Sequence, residues 1–128
     1  MIETDVQNII RLEGSKHGLL LFRNNSGALQ DIRGRLVRFG LGNDSTASNK
    51  ILKSSDLIGV QYNTGKFVAI ECKPKGWKYT GKDREVAQLH FITLVRRYGG
   101  LACFATCWED VARECKIPAL GQTLGSGS

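Results

Sequence analysis

Leu57-Ile58-Gly59-Val60-Gln61-Tyr62, then Asn63-Thr64-Gly65, then Lys66-Phe67-Val68-Ala69-Ile70-Glu71-Cys72-Lys73 forms two apolar segments around a short polar break. β-Branched and aromatic residues favour extended backbone, and Asn and Gly accept the conformations a tight reversal needs. The stretch therefore predicts a β-hairpin. Pro74 and Gly76 end its second arm. Side chains alternate across a strand, so Phe67, Ala69, Glu71 and Lys73 share one face while Val68, Ile70 and Cys72 share the other. Asp56 stands eight residues before Thr64 and Glu71 seven after it, which sets the two acids nearly opposite one another in a simple hairpin.

Outward from the hairpin, Ile2, Val6, Ile9 and Ile10 recur at helical spacing and predict a helix over residues 2–13, stopped by Gly14. Leu19–Arg23 predicts a buried strand, and Asn24-Asn25-Ser26-Gly27 a turn. Arg35–Phe39 suits a further strand, and the Gly- and Ser-rich residues 40–55 a loop. From Asp83 to Tyr98 the apolar residues cover a broad helical face ended by Gly99-Gly100. Gln88 shares a stripe with Phe91, Ile92 and Val95, so it should face a sheet. Leu101–Ala105 predicts a strand and 108–115 a short helix. The order implies one α/β domain over residues 1–118 with a mixed central sheet flanked by helices, followed by a flexible Gly/Ser tail at 119–128.

A length of 128 residues suits one domain, and the apolar runs, Leu19–Phe22 among them, are too short for a membrane span or a signal-peptide core. A cytoplasmic protein without membrane contact is expected. Eighteen Lys and Arg against twelve Asp and Glu give a net charge of +6, which favours an anionic partner, nucleic acid first. Cys72, Cys103, Cys107 and Cys115 lack the paired spacings of a zinc site and read as reduced thiols. Gly34–Gly42 lacks the lysine and spacing of a nucleotide-binding loop, so no nucleotide cofactor is expected, and no Ser-His-Asp order is present. His17 and His90 lie outside any metal-ligand spacing and read as structural.

Alone, Glu71 and Lys73 would suit an exposed ion pair of small energetic worth. Asp56 opposite them changes the reading, because two converging carboxylates repel unless a cation lies between them. Hard oxygen ligands suit Mg²⁺ or Mn²⁺, and the Cys72 backbone carbonyl could add a further oxygen. An ion so held would acidify water and offset charge on a phosphate, with Lys73 beside it to orient the water or stabilise the transition state.

Ser55-Asp56 followed by Glu71-Cys72-Lys73 resembles the catalytic core of the PD-(D/E)xK nuclease superfamily, with serine where that name has proline. The wider pattern resembles a stand-alone, virus-type VRR-NUC domain: Arg23-Asn24-Asn25-Ser26-Gly27, Ser54-Ser55-Asp56-Leu57-Ile58-Gly59, Phe67-Val68-Ala69-Ile70-Glu71-Cys72-Lys73, Gln88 and Val95-Arg96-Arg97-Tyr98-Gly99-Gly100. The likeness spans residues 2–106 and implies a restriction-endonuclease-like core and a metal-dependent DNA endonuclease. It implies Asp56 and Glu71 as metal ligands, Lys73 as catalytic lysine and Gln88 as a supporting residue of the site. It also implies an acid from the first helix, for which Glu3 is the candidate; Glu13 sits at the helix end. A homodimer acting on branched DNA, such as a Holliday junction or flap, follows from the same likeness, in a bacterial host's cytoplasm if virus-encoded.

Lys73, Lys75, Lys78, Lys82, Arg84, Arg96 and Arg97, interleaved with Trp77 and Tyr79, could track a phosphate backbone with the aromatics stacking on unpaired bases, or form a solvated face. Arg23, Asn24 and Asn25 are further candidates for DNA contact, although the two Asn most simply form a turn. Arg33, Arg35 and Arg38 suit either a second patch or a solvated strand edge. A non-catalytic DNA-binding module and an RNA endonuclease are the competing functions.

Overall fold

The computed structural model of the protein describes residues 2–118; the Gly/Ser tail expected at 119–128 lies outside the described residues. The hairpin forms as β4 (Leu57–Gln61) and β5 (Phe67–Cys72). Gly65 donates its N–H to the Gln61 carbonyl (2.8 Å), and Gln61 closes the reversal on Lys66 (3.0 Å). Antiparallel pairing runs from Val60–Phe67 to Leu57–Ile70, and one further step in that register sets Asp56 against Glu71.

β1 (Leu19–Arg23) pairs antiparallel with β4, and β6 (Leu101–Ala105) pairs parallel with β5, giving a mixed four-stranded sheet ordered β1-β4-β5-β6. The parallel pair requires a crossover, which α3 (Asp83–Arg97) supplies. α3 covers one sheet face, where Phe91, Ile92 and Val95 pack on Ala69 and Ala102. On the opposite face α1 (Glu3–Lys16) and α4 (Trp108–Glu114) place Val6, Ile10, Trp108 and Val111 on Leu19, Leu21, Leu57, Val68, Ile70 and Cys72. The alternation read along residues 67–72 thus divides the strand between two cores. The fold is an α/β sandwich with helices on both sides of a mixed sheet.

Several local expectations are corrected. Gly14 does not stop the first helix, which runs on to Lys16; it is buried, and a Cβ there would lie 3.1 Å from Leu21 Cδ1. The stop is Gly18, whose φ of +84° only glycine adopts without strain. Ile2 and Ile9 face solvent, and the buried line is Val6, Ile10 and Gly14. Gly27 opens a strand, β2 (Gly27–Gln30), which pairs with β3 (Leu36–Phe39) as a separate two-stranded sheet. Within the expected loop 40–55 lies a short helix, α2 (Thr46–Ile51). Ser45 caps it, exchanging hydrogen bonds with Ser48, but no α2 residue is buried, so no apolar stripe announces the helix.

All four cysteines are free, with Cys103 Sγ and Cys115 Sγ 4.0 Å apart inside the core. Among the described residues no helix is long and apolar enough to cross a membrane.

Candidate functional site

The C-terminal end of β5, the start of β4 and the first turn of α1 meet at one place. Glu3, Asp56 and Glu71 there offer carboxylate oxygens that all lie within 4.8 Å of one another. Asp56 is positioned by backbone. The Asn24 N–H donates to the Asp56 carbonyl (2.7 Å), fastening the end of β1 to the start of β4. Cys72 N–H donates to Asp56 Oδ2 (3.0 Å), which fixes the carboxylate and leaves Oδ1 free of that bond. A strand residue directs its N–H and C=O to the same lateral side, so the Cys72 carbonyl also faces the Asp56 edge.

Glu71 is 3% exposed. Burial, then a hydrogen bond and charge repulsion from Asp56, and further repulsion from Glu3, push its carboxyl up to about 10 against a partial counter-effect of Lys73. At neutral pH a lone Glu71 therefore holds a proton that Asp56 can accept in a hydrogen bond. Such a site favours the arrival of positive charge, because a divalent cation relieves the repulsion that keeps the proton on. Three hard oxygen donors, with one carbonyl at the same edge, match Mg²⁺ or Mn²⁺ chemistry. Burial likewise pushes the Cys72 thiol up, so that sulfur stays protonated and only its backbone is suited to the group.

Lys73 continues β5 on the same face as Glu71 and is buried. Its N–H donates to the Ala105 carbonyl (2.9 Å), and its Nζ donates to Gln88 Oε1 (2.8 Å). The ammonium stands 5.3 Å from the Trp77 ring centroid and 5.8 Å from that of Phe104. Two aromatic faces and one amide thus hold the cation beside the acids, and among the described residues it forms no salt bridge. Gln88 lies on the buried stripe of α3 and is 3% exposed, as its periodicity required.

A polar cleft of about 220 Å³ opens onto the group, lined by Asn24, Asn49, Lys53, Asp56, Glu71, Arg84 and Gln88 among others. Lys53, absent from the expectations above, joins it through a backbone hydrogen bond to the Ala87 carbonyl (3.1 Å). Its only sequence signal is its place three residues before Asp56.

The residues expected at a nucleic-acid surface separate into groups. Lys75, Lys78 and Lys82 are exposed on the segment after β5. Trp77 is not free for base stacking: it packs 4.9 Å from the Phe104 ring and donates its Nε1–H to Glu85 Oε2 (2.9 Å). Tyr79 is the exposed aromatic. Glu85, missed in the sequence, also accepts the N–H groups of Thr80 and Lys82 (3.1 Å each) and the Thr80 hydroxyl (3.1 Å). Against the cost of losing water, these donors hold its carboxyl down at about 2.

Arg96 and Arg97 lie at the other end of α3, eight and nine residues or about 12–14 Å along the axis from Gln88. They do not extend the basic segment into one continuous surface at the site, and Arg96 Nε is engaged by the Ala102 carbonyl (2.7 Å). Asn24 spends its side chain on the fold, donating to Ser54 Oγ (2.8 Å) and the Ser55 carbonyl (2.9 Å) and accepting from Leu41 N–H (3.2 Å). Arg23 binds Asn8 of α1, whereas Asn25 is exposed. Arg35 pairs with Asp31 (2.7 Å), Arg38 with Asn43 (3.3 Å) and Thr46, and Arg33 is exposed. His17 and His90 each donate an Nδ1–H, to the Glu13 and Ile51 carbonyls (2.8 Å each), which fits structural roles, and Glu13 pairs with Lys16 away from the acids.

Comparison with protein-family models, with curated proteins and with solved structures returns no match to this chain.

Proposed function

We propose that the protein is a Mg²⁺- or Mn²⁺-dependent endonuclease that hydrolyses DNA phosphodiester bonds, built on a restriction-endonuclease-like core of the PD-(D/E)xK superfamily and of the virus-type VRR-NUC kind. The observation that carries the reading is the convergence of Glu3, Asp56 and Glu71 from three separate elements, beside a buried lysine that has an amide for its partner. Structural carboxylates rarely need such company, because gathering them costs repulsion that a retained proton or a bound cation has to offset.

The cation would supply Lewis acidity, acidifying water and neutralising charge on the phosphate. Glu3, Asp56 and Glu71 would hold it, and the Cys72 N–H keeps Asp56 turned toward the site. Gln88, Trp77 and Phe104 hold the Lys73 ammonium in place, so it can donate a hydrogen bond to the attacking water or to a non-bridging phosphate oxygen as negative charge builds there. Lys75, Lys78, Lys82 and Tyr79, exposed on the segment after β5, suit a polyanion with unpaired bases at a branch. A homodimer has support in the outer face of β1 and β4, where Leu20, Phe22 and Val60 are exposed on the side α3 leaves bare.

The test is incubation with supercoiled, flap and four-way-junction DNA and an RNA version of one of these, with and without Mn²⁺. Cleavage of branched DNA by the wild type and none by Lys73→Ala is the expected result. Preference for RNA would move the activity to that substrate, and salt-sensitive binding without any product would favour the non-catalytic module.

A further inference from the structure

Lys53 and Arg84 line the same cleft as the carboxylates, yet among the described residues neither takes part in a salt bridge or a side-chain hydrogen bond. Lys53 comes from the segment leading into β4, and Arg84 from the first turn of α3. The backbone bond from Lys53 N–H to Ala87 O ties these segments together one residue from Gln88, so the backbones carrying both cations are joined beside the acids.

They also stand close enough to repel. Partial burial, and after it the charge of Arg84, hold the Lys53 ammonium below its usual range. Two like charges kept together without a counter-ion, while three acids line or adjoin the same cleft, is an arrangement that an incoming anion would relieve. At about 30 Å³ per water the cleft of about 220 Å³ holds about seven waters, room for a phosphate group beside a cation. Asn49 adds a neutral polar group to the wall.

We infer that Lys53 and Arg84 form an anion subsite that grips a phosphate of the nucleic acid next to the one being cleaved, in the cleft that Asp56 and Glu71 also line. The identity of the ligand rests on the nuclease reading; the existence of an anion site does not. The ligand is an internal phosphodiester or a terminal phosphate monoester, which share this chemistry. Because the subsite holds a group that does not react, its loss raises KM more than it lowers kcat.

The experiment uses the full chain, as wild type, Lys53→Gln, Arg84→Gln, the double variant, and Lys53→Arg to restore the charge. Inorganic phosphate is titrated into metal-free protein while the backbone amides are followed by NMR. Cleavage is measured in Mn²⁺ over a salt series, on one junction strand with and without a 5′-phosphate. Phosphate should shift the amides around Lys53 and Arg84 in the wild type and not in the double variant. The double variant should raise KM about tenfold or more, as expected for losing charged hydrogen bonds, and flatten the salt dependence by about one phosphate contact. Lys53→Arg should recover most of the effect of Lys53→Gln. Dependence on the 5′-phosphate assigns the subsite to a terminal group, and independence to an internal one.

If KM and salt slope match wild type in the double variant, the inference is overturned, whatever free phosphate does. Should the wild type cleave nothing, the phosphate titration decides alone. A response lost in the double variant keeps the anion site and ends the nuclease reading, whereas no response ends both. Both side chains are at least partly exposed, so an unchanged thermal midpoint for the double variant is the folding control.

Discussion

Replacing Glu71 with Gln should make the metal-free protein more stable while removing its response to metal. Glu71 is buried beside Asp56 and Glu3, and its carboxyl is pushed up to about 10, whereas in the unfolded chain it returns to its ordinary 4.5. A folded-state value raised in this way favours folding when the proton is on. The wild type is thus most stable, in this respect, below about 4.5, and it loses stability as pH rises toward about 10. Neutral pH lies two and a half units above 4.5, and at about 1.4 kcal/mol per unit the penalty is about 3 kcal/mol. Gln has nearly the same shape, carries no charge, and keeps an N–H donor for Asp56. Urea unfolding in EDTA should therefore show Glu71→Gln ahead by about 3 kcal/mol at pH 7, with the gap closing at pH 4. Mn²⁺ at a hundredfold over its dissociation constant should stabilise the wild type by about 2.7 kcal/mol and the variant by far less. A variant weaker than wild type in EDTA at pH 7, or one that gains as much from Mn²⁺, would refute the account of this carboxylate.

Gly59→Ala should cost about 3 kcal/mol or more, because the added Cβ would stand 1.7 Å from the Leu20 carbonyl oxygen and force β1 from β4; chemical denaturation reads this directly. Ser55→Ala should leave stability unchanged or raise it by up to about 1 kcal/mol, since the Ser55 hydroxyl is the one buried side-chain polar atom without a partner among the described residues; a clear loss on calorimetry would contradict this. Glu85, held down at about 2, stabilises the segment over Lys73 fully above about 4.5 and loses that contribution as pH falls toward 2. The Trp77 indole N–H should lose its exchange protection over that interval, and Glu85→Gln should weaken it at pH 7.

The parts legible in the sequence are those where burial imposes a period. Alternation along residues 67–73 divided the strand correctly between two cores, and the count about Thr64 set Asp56 against Glu71 in the register the strands adopt. Gln88 was readable because a polar residue on an apolar stripe has to face the sheet. Glu3 was reached through the family likeness alone, since no local rule says that the first turn of a helix packed on one face brings its acid round to Asp56 and Glu71. α2 and β2 bury no side chain, and they lie in stretches rich in Gly, Ser and Asn, residues that read as turn and loop. Trp77 was misjudged because its partners Lys73, Glu85 and Phe104 stand at no regular spacing, whereas Glu85, three residues after the Lys82 N–H it accepts, carried a helix-start spacing that went unread.

A cation held by acids from three elements is the feature on which the proposed activity depends. Crystals grown in Mn²⁺ and measured at a wavelength where manganese scatters anomalously locate the ion without inference. A single strong peak about 2.2 Å from oxygens of Glu3, Asp56 and Glu71 is the result predicted, at a distance ordinary for such hard-cation sites. A peak elsewhere, or none at these carboxylates in saturating Mn²⁺, would contradict it.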